Sequence, residues 1–281
     1  MKAFPVTVLC AVMKVSRSGF YDYLHSRSPH GGNKPGEVML EAKIKEIFIE
    51  HKGSYGSRRI VRELKNQGYP IGRFKVRRIM RQLNLRAKTP RRFKLTTDSR
   101  HSFPVAANRL DRQFEVDAPD KVWTSDISYI WTYEGWLYLA VVMDLYSRRI
   151  VGWAMNKRIK RNLVLDALTM AYWQRKPSSG LLHHSDRGSQ YASYDYQKRL
   201  EQYGMIPSMS RKGNCWDNAP IERFFRSLKS ERLTASRFAT RNAAKNEIVD
   251  YITYYNSIRL HSYLGYVPPI DYEKEQYAKA A

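Results

Sequence analysis

The stretch Val122–Met155, VWTSDISYIWTYEGWLYLAVVMDLYSRRIVGWAM, determines the fold class of this 281-residue chain. It contains three runs rich in β-branched and aromatic residues, at 122–131, 136–145 and 149–155. Such runs are typical of strands, and the short breaks between them are typical of tight turns. The middle run is nearly all apolar, which indicates a strand buried on both faces. We therefore predict a three-stranded antiparallel meander.

Helical and strand-like patterns alternate after this meander. In chain order we predict a helix at 162–174, a strand at 180–184, a helix at 193–203, a strand at 206–209 and a helix beginning near Asn218. The order β-β-β-α-β-α-β-α is the ribonuclease H arrangement. The predicted fold class is α/β, a ribonuclease H-like core with a mixed five-stranded sheet and flanking helices. Helical helix-turn-helix regions precede this core, and a helical tail follows it.

Three acidic residues lie at key points of this arrangement. Asp126 falls within the first predicted strand and Asp186 directly follows the fourth, which are neighbours at the centre of such a sheet. Glu222 lies in the first turn of a helix that Asn218 would cap and Pro220 would start. Each acid alone suits an ordinary turn or helix start. Together they predict one cluster, since converging carboxylates repel one another unless a divalent cation lies among them.

Magnesium is the cation that such a cluster favours, because it is hard and accepts carboxylate and phosphate oxygens. Manganese is expected to substitute for it. Two ions about 4 Å apart activate a water or a DNA 3′-hydroxyl and stabilise the leaving oxygen of a phosphodiester. We therefore predict Asp126, Asp186 and Glu222 as catalytic residues and as ligands of two Mg²⁺ ions per active site.

The composition indicates a nucleic-acid partner. The chain carries 49 Lys and Arg against 26 Asp and Glu, a formal net charge of +23. An excess of this size predicts a polyanionic partner, and DNA is the first candidate. Cys10 and Cys215 are the only cysteines, so we expect two free thiols, no structural zinc and a reducing compartment. With no apolar run of about 18 residues, we expect a soluble cytoplasmic protein that acts on DNA and has no membrane partner.

Helical patterns fill the first part of the chain. In region 1–35, two short helices break at 16–19 and form either a helix-turn-helix or a simple packing hairpin. Region 36–97 contains a helix capped by Ser57 and ended by Gly68, then a helix with one apolar face and basic residues elsewhere. That pattern is typical of a helix-turn-helix recognition helix, although a solvated basic face is the alternative. The predicted DNA-contacting residues are Arg73, Arg77, Arg78, Arg81, and, in a basic arm at 86–94, Arg91 and Arg92.

The remaining boundaries follow from changes in pattern. Residues 98–120 show no clean periodicity and are interpreted as a linker to a catalytic core at 121–233. A helical tail is predicted at 234–281, with a helix at about 240–257 and an extended aromatic end. We expect this tail to pack on the core or on a neighbouring protomer.

Basic side chains are predicted near the acids. Arg226 and Lys229 share a helical face with Glu222 and would project toward a bound DNA end. A solvated pair with Glu222 is the alternative for Arg226. Arg211 and Lys212, in the preceding loop, are predicted to contact target or end DNA. The opposite helical face supplies the buried stripe, Ile221, Phe224, Phe225 and Leu228.

Four further residues near the acids have weaker signals. We interpret Asp144 as a turn acid rather than as a support for the cluster. His183 and His184 point to opposite faces of a strand; we expect packing for the first and support of the acids for the second. Trp216 either stacks on an unpaired base or anchors its own loop.

Five segments carry a family resemblance. They are WTSDISYI at 123–130, GWLYLAVVMDLYSRRIVGWAM at 135–155, HSDRGSQYAS at 184–193, GNCWDNAPIERFFRSLKSE at 213–231 and YYNSIRLHSYLGYVPP at 254–269. They resemble bacterial insertion-sequence transposases of the DDE type, the second-frame product of the family named after insertion sequence three, whose catalytic core is like that of retroviral integrases.

This resemblance implies a function. Asp126, Asp186 and Glu222 would be the catalytic triad, and Lys229 matches a basic position of the family. The implied activity is binding of the element's terminal inverted repeats, then metal-dependent strand cleavage and transfer, with first-strand transfer giving a circular intermediate. The implied partners are end and target duplex DNA, at least a second copy of the chain, and the upstream-frame product of the same element. The alternatives are an inactive DNA-binding regulator and a host ribonuclease H-like nuclease.

Overall fold

The computed structural model describes residues 5–27, 35–88, 102–234 and 236–280. Contacts divide the chain into two units, Met1–His51 with Tyr55–Arg86 and Lys52–Ser54 with Ala87–Ala281. Arg91, Arg92 and most of the basic arm at 86–94 lie outside the described residues. Within the described part of the chain, no helix is long and apolar enough to cross a bilayer.

The described part of the first unit consists of helices joined by short loops. Its helices are α1 (Val6–Val12), α2 (Arg17–Arg27), α3 (Pro35–Glu50), α4 (Ser57–Asn66) and α5 (Arg73–Gln82). The predicted break at 16–19 is wrong, because α2 already begins at Arg17 and contains Gly19. The Gly19 amide donates to the Ser16 hydroxyl at 3.0 Å, so Ser16 starts this helix. The chain turns just before it, where Lys14 has a left-handed φ of 52°.

Helices α3, α4 and α5 share a small apolar core. Its fully buried side chains include Ile44, Ile47, Ile60, Leu64, Val76 and Ile79. On α5 the basic side chains are exposed, so the predicted division into an apolar and a basic face is confirmed. Gly68 follows α4 with a φ of 84° and ends it as predicted. The predicted Ser57 cap is wrong, because Gly56 occupies the cap position and Ser57 is the first helical residue.

The second unit is built on a five-stranded sheet. Its strands are β1 (Val122–Thr132), β2 (Gly135–Asp144), β3 (Ile150–Asn156), β4 (Leu182–Ser185) and β5 (Ile206–Met209). Their order is β3-β2-β1-β4-β5. The first three strands pair antiparallel, while β4 pairs parallel with both β1 and β5. The predicted mixed sheet and its meander are confirmed, and the last six residues of β2 are buried as expected.

Helices cover both faces of this sheet. They are α6 (Arg161–Arg175), α7 (Ser189–Ala192), α8 (Tyr194–Gln202), α9 (Ala219–Leu228), α10 (Arg241–Ser257) and α11 (Pro269–Ala280). A π-helical segment, Lys229–Leu233, continues directly from α9. Helix α6 approaches β3 so closely that a Cβ on Gly152 would lie 2.3 Å from the Ala167 carbonyl oxygen. Only glycine fits there, because the helix backbone rests on the strand.

The tail packs on the core and ends differently from the prediction. The Asn256 side chain bonds to the backbone N–H and carbonyl of Ile150, both at 2.9 Å. Glu273 of α11 accepts from the Ser147 hydroxyl at 2.6 Å. The extended end predicted from its aromatic and proline content is wrong, since the prolines precede a helix. A proline suits the first turn of a helix, where its missing N–H leaves no carbonyl unpaired.

Candidate active site

The pairing of β1 with β4 places two of the predicted acids side by side. The strands run parallel with Ser125 opposite Ser185, so Asp126 and Asp186 occupy the next position on neighbouring strands. The Asp126 carboxylate accepts from the Ile127 amide at 2.7 Å. The Asp186 carboxylate accepts from the Gly188 amide at 2.8 Å. Both carboxylates are therefore oriented by the backbone immediately after them.

Helix α9 brings the third acid to this point. Glu222 lies in its first turn, and Pro220 is among its first residues, as predicted. Asn218 precedes the helix, but the prediction that its side chain caps it is wrong. Instead, the side-chain oxygen of Asn218 accepts from the Thr124 hydroxyl, and its side-chain nitrogen donates to the Ser125 carbonyl at 3.1 Å. Asn218 thus ties the start of α9 to β1 beside Asp126, a contact that no sequence signal indicated.

The three carboxylates influence one another electrostatically. Burial raises the pKa of Asp126 well above its usual range, and the negative charges of Asp186 and Glu222 raise it further. Burial also raises the pKa of Glu222, with Arg226 opposing this rise and Asp186 adding to it. The cluster predicted from the sequence is therefore one electrostatic unit in the folded chain.

The donor set fits a hard divalent cation. Three carboxylates offer oxygen ligands alone, and a cation among them would relieve the charge that raises the pKa of Asp126. Within the described residues, no three His, Cys, Asp or Glu side chains converge closely enough to hold one ion. The chemistry and mutual charge of the acids thus suit Mg²⁺, while their carboxylates stand farther apart than ligands of a single ion.

Two basic side chains lie beside the acids on the predicted helical face. Lys229 places its Nζ 4.9 Å from the centre of the Tyr129 ring. Burial lowers the pKa of Lys229, and the negative charge of Asp126 opposes this change. Arg226 is exposed and favours the ionised form of Glu222. The predicted stripe on the opposite face is confirmed as buried, and it consists of Ile221, Phe224, Phe225 and Leu228.

The loop before Glu222 is held by a buried acid that the sequence analysis missed. Asp217 accepts from the Arg211 guanidinium at 2.8 Å and from that of Arg112 at 2.8 Å. Hydrogen bonding to Arg211 holds the pKa of Asp217 well below its usual range. Arg211 therefore stabilises this loop, in addition to its predicted DNA contact, whereas Lys212 is exposed. Trp216 is 71% exposed and does not anchor the loop.

Both histidines of β4 support the strand ends that carry the acids. His183 Nε2 hydrogen-bonds to the Ser125 hydroxyl at 2.9 Å, next to Asp126. His184 Nε2 bonds to the Ser210 hydroxyl at 3.1 Å, which in turn donates to the Ser185 carbonyl. His184 supports the strand end before Asp186, as expected. His183 is buried, as expected, but it also hydrogen-bonds to the residue before Asp126.

Asp144 is a turn acid, as predicted. Its carboxylate accepts from the Ser147 amide at 3.0 Å and from the Asp120 amide at 2.7 Å. Burial raises its pKa to about 6. Asp144 thus closes the β2–β3 turn at the end of the sheet and holds the loop that leads into β1.

His183 makes stability depend on pH. Burial lowers the pKa of His183 from 6.5 to about 3, so the unfolded chain binds a proton that the folded chain does not. The free energy of unfolding therefore falls as the pH drops below about 6.5, by about 1.4 kcal/mol per pH unit for this group. Denaturant unfolding at several pH values should show a shallower fall for His183→Gln. An unchanged slope of unfolding free energy against pH would contradict this assignment. Asp144 also titrates in this range, but it is present in both proteins and its contribution cancels.

The fold and this constellation of acidic and basic groups define the class of integrase-type DNA strand transferases. Family models described as "Integrase core domain" match residues 116–215 and 203–269, and one described as "HTH-like domain" matches 37–93. A solved intasome of simian T-cell lymphotropic virus, in complex with the PP2A regulatory subunit B56 gamma, covers 82% of this chain and 74% of its own, with 15% identity and a TM-score of 0.48.

Curated relatives specify the family. The chain is 43% identical to the insertion element IS600 uncharacterized 31 kDa protein of Shigella sonnei, over 97% of this chain and 100% of that protein. It is 38% identical to the transposase InsF for insertion sequence IS3A of Escherichia coli K12, over 98% and 96% of the two chains. The chain belongs to this family of IS3-type insertion-sequence transposases. It is a DDE transposase with an integrase core and an HTH-like DNA-binding domain.

Proposed function

We propose that Asp126, Asp186 and Glu222 bind two Mg²⁺ ions and perform cleavage and strand transfer at the ends of the insertion sequence. The observation that carries this proposal is the parallel pairing of β1 with β4, which places Asp126 and Asp186 side by side, next to the α9 start that Asn218 ties to β1. The bound ions would supply an activated water or 3′-hydroxyl and stabilise the leaving oxygen. Mn²⁺ offers the same coordination chemistry and would replace Mg²⁺.

The protein's own contribution is to place and hold the reacting groups. Backbone amides orient Asp126 and Asp186, and Asn218 fixes the start of α9 so that Glu222 faces them. Lys229 and Arg226 supply positive charge next to the acids, where the phosphate of a DNA end would lie. Arg211 and Lys212 extend this charge along the preceding loop. Ion binding would have to draw Glu222 toward the two aspartates.

We propose that the first unit binds the terminal inverted repeats. On α5, Arg73, Arg77, Arg78 and Arg81 are exposed, and the second helix of a helix-turn-helix is the one that enters the major groove. Arg78 also pairs with Glu37 of α3, so its phosphate contact would compete with this ion pair. Arg91 and Arg92 would extend the contact along the backbone.

Salt dependence tests the role of α5. Arg77→Ala is expected to weaken binding to end DNA and to reduce the slope of log K against log salt by about one unit, because one phosphate contact is lost. The slope should be measured by titration at several salt concentrations. Lys274→Ala, which removes an exposed charge from α11, is the matched control and should leave the slope unchanged. Equal slopes for Arg77→Ala and wild type would exclude a phosphate contact there.

The proposed assembly follows from the reaction. Pairing two ends requires at least a dimer on DNA, with target duplex as a further substrate and the upstream-frame product as a further partner. The proposed location is the bacterial cytoplasm. The proposed regions are 1–35 and 36–97 for DNA binding, 98–120 as linker, 121–233 as catalytic core and 234–281 as tail.

The direct test is joining of a duplex that carries the element's own end. With Mg²⁺, wild type is expected to cleave and join this duplex, while Asp186→Asn and Glu222→Gln bind it without reaction. Asp166→Asn changes an exposed acid of α6 and should react like wild type. Full activity of Asp186→Asn would rule out the proposed triad. Binding without any reaction by wild type would instead favour a regulator, and hydrolysis of hybrids without joining would favour a nuclease.

A further inference from the structure

A groove of about 480 Å³ opens beside the catalytic cluster. One wall is the part of β1 that follows Asp126, and the other is the chain from Lys229 to Phe238. Its lining combines aromatic and basic side chains, chiefly Tyr129, Trp131, Tyr133, Trp136, Lys229 and Arg237. None of the aromatic residues in this group has a role in the catalytic cluster described above.

The groove exists because β1 is longer than its neighbour. Strand β4 ends at Ser185, opposite Ser125. Farther along the same edge, Thr132 forms a parallel bridge with Phe238, and the Tyr133 amide donates to the Phe238 carbonyl at 3.0 Å. Among the described strands, none pairs with this edge between Ser125 and Thr132. The opening therefore starts at Ile127, the residue after Asp126, and runs roughly 20 Å along the strand.

The aromatic rings of the groove face solvent. Trp131 is 57% exposed and Tyr133 is 69% exposed. Trp131 lies opposite Trp136 in the β1–β2 hairpin, and their ring centres are 4.9 Å apart in an edge-to-face arrangement. The Tyr129 ring meets Trp136 at 5.1 Å in the same geometry. An exposed cluster of large rings on one hairpin marks a binding surface rather than a core.

Positive charge flanks these rings. Lys229 places its ammonium over Tyr129, between the groove and the catalytic acids. Arg237 is exposed farther along the same wall as Lys229. Exposed rings beside basic side chains are the combination that binds unpaired nucleic-acid strands, since bases stack on the rings and phosphates meet the charges. A protein segment bound in this groove would not require the basic side chains beside the rings.

We propose that this groove accepts one or two unstacked bases of the DNA strand that is cut or joined at Asp126. The inference rests on the proposed strand-transfer function and adds a positioning step to it. A base leaving the duplex would stack on Trp131 and Trp136, with its phosphate near Lys229. Stacking of this kind contributes about 5- to 100-fold to binding. It would hold the neighbouring phosphate at the acids.

Base stacking can be measured without catalysis. The probe is an end duplex with a fluorescent adenine analogue next to the cleavage position, bound to Asp186→Asn so that no reaction occurs. Binding is expected to change the analogue's fluorescence, because the base leaves the stack of the duplex and stacks on the aromatic rings of the groove. Introducing Trp131→Ala into the Asp186→Asn protein should remove most of this change. Trp173→Ala, which removes an exposed ring of α6 outside the groove, should keep it. An equal signal with and without Trp131 would overturn the proposal.

A second measurement separates this inference from the proposed function. Trp131→Ala is expected to join a paired duplex about 5- to 100-fold more slowly than wild type. A mismatch at the flanking position should restore much of the rate, since a mismatched base costs least to unstack. If wild type joins DNA but Trp131→Ala joins both duplexes at the wild-type rate, the groove proposal fails while the function stands. If wild type does not join DNA, the function fails, and the fluorescence result still tests the groove.

Discussion

Replacing Asp126 with asparagine is expected to abolish strand transfer without weakening the fold. The loss should be at least about a thousandfold, because the ions that Asp126 is proposed to bind would stabilise several kcal/mol of transition-state charge. Stability should be equal to or greater than that of wild type in the absence of metal. The measurements are joining of end DNA with Mg²⁺ and denaturant unfolding of the same preparation without it.

The stability gain follows from the pKa of Asp126. Burial and the charge of Asp186 raise this pKa, so the folded chain holds a proton that the unfolded chain releases above its own pKa near 3.8. This acid therefore lowers the free energy of unfolding progressively as the pH rises above that value. Asparagine removes this dependence. The exposed Asp166 is the matched control, and Asp166→Asn should change neither quantity.

Metal binding should reverse the order of stability of wild type and Asp126→Asn. Under the proposed function Mg²⁺ binds the folded state, so it is expected to raise the melting temperature of wild type as its concentration rises. The same titration should leave Asp126→Asn unchanged. A variant that keeps its activity, or that loses stability in metal-free buffer, would contradict the assignment of Asp126 as a buried ligand.

Arg259→Met is expected to cause the largest loss of stability, about 3–5 kcal/mol, because it removes the guanidinium that neutralises the buried Glu231 carboxylate. Arg259 is 4% exposed and binds Glu231 through two bonds, at 2.9 and 2.6 Å. The Tyr251 hydroxyl also donates to Glu231, at 3.0 Å. The group lies between the π-helical segment and α10. Denaturant unfolding should show a lower midpoint with an unchanged slope.

A second substitution tests this explanation. Adding Glu231→Gln to Arg259→Met removes the buried negative charge and keeps a side-chain oxygen that accepts from the Tyr251 hydroxyl. Much of the lost stability should therefore return. Lys274→Ala, which breaks an exposed ion pair on α11, should have no measurable effect. If the double variant is no more stable than Arg259→Met, lost packing rather than lost charge pairing is the cause.

The sheet and the acid positions follow from the sequence because they depend on local patterns. Runs of β-branched and aromatic residues identify strands wherever they occur. Once the strand order is known, Asp126 and Asp186 must meet, because parallel pairing places them in register. The position of Glu222 in the first turn of its helix follows from Pro220, which marks the helix start.

The contacts that hold the site depend on partners far apart in the chain. Asn218 was interpreted as a cap because a side chain next to a helix start usually bonds locally, yet it bonds to Thr124. Asp217 has one partner, Arg112, more than 100 positions earlier, which no local pattern indicates, and a second, Arg211, within its own loop. Nothing in the local pattern around Glu231 indicates that Arg259 will pair with it. Such pairings are set by packing of the whole unit.

The π-helical turn at Lys229–Leu233 has a consequence for insertions and deletions. Such a turn holds one residue more than the α-helical turn it replaces. Deleting the residue between Lys229 and Glu231 would leave a turn of α-helical length and change the angle between these two side chains about the helix axis. Either Lys229 would leave Tyr129, or Glu231 would leave Arg259. The length of this turn sets the angle between the Lys229 and Glu231 side chains, so relatives should tolerate substitutions here more often than single-residue deletions.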